Sequence, residues 1–233
     1  MPRARLNWIE MSDTLYLSLW YPNLRLEALP DKLMAVLGAF AAHGGEEKVY
    51  AASVWPVNWS EAPVFQRVYG RMGAAPGTSP GVEPRQAVAE ALELLHDDYA
   101  YEFQVGWNLW EWEEGGISPQ TGQNAGPSTR PSAPADDLAQ DDRANLSVPQ
   151  EAKVLGRWAR GPRLVRVTGY GPLFDEGAYE QDGHIRIDFG SDTPFLEEDA
   201  DLDQVGARHV EENVRQLVEL AAGVEKALSL IHI

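Results

Sequence analysis

The sequence predicts an α+β fold with helices packed on one face of a mainly antiparallel sheet. Segments of alternating polar and apolar residues, typical of half-buried strands, are interspersed with segments whose apolar residues recur at helical spacing. The hydrophobic fraction of 44% over 233 residues is enough for a substantial core. The elements follow one another in the order βαββαβ and then ββα, which favours a layered α+β architecture.

The first half of the chain begins with a strand in which Leu15, Leu17 and Leu19 alternate with more polar positions. Pro30 marks the first turn of a helix, because proline fits the first turn and has no amide proton to lose there. Gly44 and Gly45 end that helix. The next predicted elements are strands over residues 48–55 and 63–69 and a helix from Pro84 to Leu95.

The most regular alternation predicts a strand beginning at Tyr99. Its apolar face carries Tyr99, Tyr101, Phe103, Val105 and Trp107. Two later strands are predicted over residues 164–168 and 184–189. A long final helix is predicted from a repeat with spacings of four and three: Val210, Val214, Leu217, Ala221, Val224 and Leu228.

The βαββαβ order is that of a split-βαβ, ferredoxin-like layer, and the C-terminal ββα unit is expected to extend its sheet. Residues 12–233 are therefore predicted to form a single α+β domain. A segment rich in Pro, Gly, Ser and Gln predicts a flexible linker at about 115–147. The alternative is two small domains divided at the linker. It is less favoured because two strands and one helix form a weak core.

Charge and composition exclude several classes of function. The chain has no cysteine, which removes disulfides, thiol catalysis and cysteine-bound metals. A net charge of −17 disfavours nucleic-acid partners. The apolar run Leu33–Ala42 is about half the length of a membrane span, so we expect no membrane partner. The first twenty residues contain acids and no apolar signal core, which favours a cytoplasmic protein.

No familiar catalytic signature is present, so we assign no catalytic residues and no cofactor. The nearest approach to a metal site is the run His96, Asp97 and Asp98. That run lies at a helix-to-strand junction, where these residue types have ordinary capping and turn roles. We therefore predict no metal site.

Candidate binding residues lie on polar strand faces. His184, Arg186 and Asp188 share one face, opposite two isoleucines, and could contribute to a pocket with Glu102 and Trp110. The competing interpretation is a solvated face with mutually satisfied charges.

Trp110 and Trp112 alternate with two glutamates, which makes them a second candidate for recognition. Packing beneath the linker is the alternative for these two indoles.

Residues 94–101 and 183–195 resemble segments of uncharacterised bacterial proteins, which implies no particular activity. The last six residues, LSLIHI, resemble a translated sequencing adapter. The acidic, cysteine-free α+β type is also similar to toxin-neutralising immunity proteins.

We therefore expect a binding protein that recognises a basic protein partner, for example as an immunity-type inhibitor, rather than an enzyme. Eleven acids between Asp175 and Asp203 motivate this expectation. One alternative is an enzyme or small-ligand-binding protein with a pocket on the polar sheet face. The other is a structural subunit of an assembly.

Overall fold

The computed structural model describes residues 14–72, 81–113, 156–196 and 202–228. The chain divides into two compact units, one made of residues 1–111 and 158–233 and the other of residues 112–157. In the second unit, Arg157 Nε forms an ion pair with Glu113 Oε2 at 3.2 Å. The predicted linker at about 115–147 and the last five residues lie outside the described residues.

An α+β fold with a mainly antiparallel sheet is confirmed. Most predicted elements are present, and several strands are longer than the alternation indicated. The described elements are β1 (Thr14–Leu19), α1 (Leu29–Ala42), β2 (Gly45–Pro56), β3 (Phe65–Val68), α2 (Pro84–Ala91), β4 (Tyr99–Glu113), β5 (Arg157–Tyr170), α3 (Tyr179–Asp182), β6 (Ile185–Ser191) and α4 (Gln204–Leu228).

The strand order is β1-β6-β5-β4-β2-β3. β4 and β5 run in opposite directions, because Gly171 N donates to Tyr99 O near one end while Arg163 binds Glu111 near the other. The ferredoxin-like arrangement is not confirmed. A split βαβ unit leaves room for one strand between the two that its helix joins, whereas here β6, β5 and β4 all separate β1 from β2. The strands expected to extend the sheet are inserted inside it.

The main core lies between one face of the sheet and the helices α1, α2 and α4. Trp107 of β4 is fully buried at its centre, and its Nε1 donates to the carbonyl of His43 at 3.1 Å. The short α3 is on the opposite face, where Ala178 and Tyr179 pack against a smaller cluster that contains Phe174 and Tyr170. The prediction that the helices pack on one face of the sheet is therefore correct for α1, α2 and α4 but not for α3.

α4 protects an open edge of β4. The pairing between β2 and β4 starts at Gly45 and Trp107, so the later residues of β4 lack a partner on that side. The Asn213 side chain supplies one: its Oδ1 accepts from Trp110 N at 2.9 Å, and its Nδ2 donates to Trp110 O at 2.8 Å. Strand edges with unpaired backbone groups are a liability that proteins cover in this way.

The buried stripe of α4 is offset from the predicted one. Asn213 and Gln216 are buried and the predicted Val214 is 38% exposed, whereas Val224, also predicted, is buried. With its amide oriented to satisfy both neighbours, Gln216 donates to Asn108 O at 3.2 Å. Among the described helices, none is both long and apolar enough to span a membrane.

Candidate binding cleft

A cleft of about 330 Å³ opens on the sheet face that turns away from the long helices. Strand alternation places its polar side chains there, because residues two apart share a face. Thr168 of β5, for example, lies opposite Arg186 of β6 in the sheet. The cleft is lined by Trp55, Trp59, Glu102, Arg166, Thr168, Tyr170, Asp182, Arg186 and Asp188.

Two indoles form the aromatic part of the cleft. Trp59 contacts Trp55 with ring centroids 5.6 Å apart and packs edge-on against Phe174 at 5.0 Å. It remains 40% exposed, so the pair combines a fixed ring with open surface. The buried Nε1 of Trp55 has no hydrogen-bond acceptor among the described residues. Indoles held in this way are suited to stacking on a flat or cationic group.

A strained turn holds Trp59 in place. Val57 has φ 59°, which is costly for a β-branched residue, and Asp175 has φ 46°. Two hydrogen bonds offset the strain: Val57 N donates to Asp98 O, and Asp175 N donates to Val57 O, both at 2.7 Å. Three separate loops are therefore joined at the end of the cleft that carries Trp59.

Both arginines in the cleft are engaged by aspartates. Arg186 Nη1 donates to Asp182 Oδ1 at 2.5 Å, and Arg186 also lies over the ring of Tyr16, 4.1 Å from its centroid. Arg166 Nη2 lies 3.6 Å from Asp188 Oδ2. These two pairs leave the cleft with little free positive charge.

Glu102 has no such ion-pair partner among the described residues. It is half-buried on β4, opposite Ser53 of β2, and its carboxylate has no hydrogen bond or ion pair with any described residue. The cleft contains three carboxylates and two guanidinium groups. The uncompensated charge in it is therefore negative and belongs to Glu102.

Tyr170 forms the inner wall of the cleft. Its burial, and then the negative charge of Asp182, raise the pKa of its phenol above the ordinary value. The phenol therefore stays protonated at neutral pH and can donate a hydrogen bond in the cleft.

Three of the six predicted binding residues meet in this cleft: Glu102, Arg186 and Asp188. His184 instead lines a second cavity. Trp110 packs against α4, where its ring stacks on His209 at 3.9 Å. Its Nε1 donates to Glu212 at 3.1 Å. Trp112 is 48% exposed and belongs to the other compact unit.

Several residues that line the cleft were not predicted from the sequence. Arg166, Thr168 and Tyr170 alternate with the buried Val165 and Val167, so the strand pattern carried a signal for them. The pattern gave no signal for Trp55 and Asp182, because their presence in the cleft depends on strand order and on the position of α3.

An acidic rim, defined here as Asp97, Asp98, Asp175 and Glu176, lies where the loops joined through Val57 meet. Within it, His96 Nδ1 lies 2.9 Å from Asp98 Oδ1, and the His96 ring stacks on Tyr99. The ligand atoms of His96, Asp97 and Asp98 fall within 4.8 Å of one another. They are largely exposed, and the turn and stacking contacts account for their positions.

Comparison with known proteins identifies no relative of this chain. No protein-family model, no curated protein and no solved structure matches the chain.

Proposed function

We propose that this protein is a binding protein whose cleft on the polar sheet face takes an organic cation, either an ammonium or a guanidinium group. The observation that carries the proposal is the unpaired carboxylate of Glu102 beside two indoles. A cation over an indole face gains from the ring quadrupole, and it gains more where water is excluded. Since aspartates already engage both arginines, an anionic ligand would have to displace an existing ion pair.

Two sources could supply such a cation: a small amine, or a Lys or Arg side chain of the basic protein partner expected from the sequence. The acidic rim favours the second source, because complementary charge steers a basic protein to this end of the sheet. An immunity-type inhibitor would be one example of a protein that binds a basic partner in this way. A cytoplasmic location, also expected from the sequence, is part of this proposal.

Titration with two amides of similar shape tests whether the cleft prefers a cationic group. Both are used with the α-amine acetylated, so that argininamide carries a single charge, on its guanidinium group, and citrullinamide carries an uncharged ureido group of nearly the same shape. We expect tryptophan fluorescence to report binding of argininamide with an affinity at least tenfold higher than that of citrullinamide. The variant Glu102→Gln should remove most of this difference, because it removes the uncompensated charge. Equal binding of the two amides, or an unchanged Glu102→Gln variant, would contradict the proposal.

The matched control is Glu93→Gln, which makes the same change in net charge at an exposed position outside the cleft. It should leave both affinities unchanged. If it weakens argininamide binding as much as Glu102→Gln does, the attraction belongs to the overall charge of −17 and not to the cleft.

Variants in the acidic rim distinguish a small amine from a basic protein partner as the source of the cation. The double variant Asp175→Asn, Glu176→Gln should weaken binding of a peptide with one arginine flanked by lysines, and this effect should fade at high salt. Argininamide has no flanking lysines to interact with the rim, so its affinity should change less than that of the peptide. If the peptide binds no better than argininamide, a small amine is the better candidate.

A further inference from the structure

A second cavity of about 310 Å³ lies on the other side of Tyr170. Its walls are mostly apolar, with Leu24, Leu26 and Leu29 from the segment that enters α1 and Pro172 from the turn after β5. This volume is at the lower end of the range for small-molecule sites, which are typically apolar with few polar groups. None of the described residues lining it is an acid, a lysine or an arginine.

Tyr21 is a polar residue in this wall that lacks a partner. Its side chain is 6% exposed, and its hydroxyl is buried without a hydrogen bond to any described residue. Native proteins rarely leave a buried hydroxyl unsatisfied, because that forfeits the hydrogen bond it would make to water. The Tyr21 hydroxyl is therefore a donor that a molecule in the cavity would satisfy.

His184 supplies a second donor that lacks an acceptor. Its Nδ1 accepts a hydrogen bond from the backbone N–H of Tyr21 at 3.1 Å, which in the neutral ring places the proton on Nε2. That Nε2–H has no acceptor among the described residues. The ring is held between Tyr179, stacked at 5.0 Å, and Tyr21, edge-on at 6.0 Å.

We infer that this cavity binds a small uncharged molecule whose carbonyl oxygen accepts hydrogen bonds from the Tyr21 hydroxyl and from His184 Nε2. The apolar walls take the body of the molecule. The polar groups on this wall, which also include Asn23 and Tyr179, are neutral and no lining group is an acid, a lysine or an arginine, which matches a ketone, ester or amide better than an ion. The inference is independent of the proposed function, because it uses neither Glu102 nor the two indoles.

Three aromatic molecules of similar size test the assignment. Acetophenone carries the carbonyl, ethylbenzene has a similar shape without an acceptor, and benzoate carries a charge. Binding to the full chain is measured by ligand-observed NMR. We expect acetophenone to bind about tenfold more tightly than ethylbenzene, the effect of one or two hydrogen bonds on a dissociation constant. Benzoate should bind more weakly than acetophenone.

The variant Tyr21→Phe should lower the affinity for acetophenone several-fold and leave that for ethylbenzene unchanged. It should fold at least as stably as the parent chain, because it removes only an unpaired hydroxyl. Tyr50→Phe, at a buried tyrosine whose hydroxyl binds Glu46 outside the cavity, is the matched control and should change neither affinity.

Three results would overturn the inference. Equal affinities for acetophenone and ethylbenzene would show that the donors are not used. Tighter binding of benzoate would make the ligand an anion, with Lys32, whose Nζ is 5.1 Å from the Tyr21 ring centroid, as its counter-ion. Failure of all three molecules to bind at millimolar concentration would leave the cavity without this role.

Discussion

Replacing Asn213 by leucine should destabilise the protein more than any change on the exposed side of α4. The Asn213 side chain is fully buried and makes three hydrogen bonds to backbone groups: two to Trp110 and one, at 2.8 Å, to Pro194 O. Leucine has the same branched shape but a larger volume, so the change removes the hydrogen bonds without opening a cavity, and any overpacking adds to the loss. At about 1 to 1.5 kcal/mol for each backbone group left unsatisfied, the expected loss is about 3 to 5 kcal/mol.

The free energy of unfolding from urea titration measures this loss, with an unchanged m value showing that the compactness of the two states is preserved. The control is Val214→Ala at the neighbouring exposed position, where we expect a loss of under about 1 kcal/mol. Amide exchange should also accelerate at Trp110, whose N–H loses its acceptor. A loss below 1 kcal/mol for Asn213→Leu, or a larger one for Val214→Ala, would refute the assignment of the buried stripe.

Three further predictions concern single groups. Gly183→Ala should cost at least about 1 kcal/mol in thermal unfolding, because φ is +83° and a Cβ would lie 2.8 Å from Leu19 N. Burial lowers the pKa of His184 below 6.5, so stability should be full above pH 6.5 and fall as the pH drops towards the folded-state pKa; His184→Gln should flatten that fall in urea titrations. Burial raises the pKa of Tyr101 to about 12, so its stabilising effect should persist below pH 10 and be lost as the pH rises through 12, and the part of the phenolate absorbance that Tyr101→Phe removes should appear only there.

The sequence was most informative where one periodicity dominated. The alternation from Tyr99 to Trp107 predicted a strand that the structure extends to Glu113, and Pro30 correctly marked the first turn of α1. Alternation identifies a strand and its two faces because both are local properties of the chain. It cannot identify the neighbours of a strand, because pairing depends on which edges meet in the folded protein.

The final helix shows how a correct element can be given a buried face that is only partly right, since Val224 is buried as predicted. The spacing of Val210 and Val214 predicted an apolar stripe, yet the structure buries Asn213 and leaves Val214 partly exposed. The reason is that α4 packs beside the unpaired edge of β4, where backbone amides and carbonyls need polar partners. A hydrophobic pattern records apolar burial only, so it cannot predict a contact that depends on hydrogen bonding.

The inserted strands explain both the failed topology and the position of the cleft. Had β5 and β6 extended the sheet at an outer edge, Arg186 and Asp188 would lie far from Glu102 of β4. Because the two strands lie between β4 and β1, their polar residues occupy the middle of the open face, with Glu102 on one side and Tyr16 on the other. The chain after residue 156 thus supplies six of the nine residues that line the cleft. It follows that substitutions in β5 and β6 should change which ligands the cleft binds, whereas those in α1 and α2, which do not line the cleft, should leave its ligand preference unchanged.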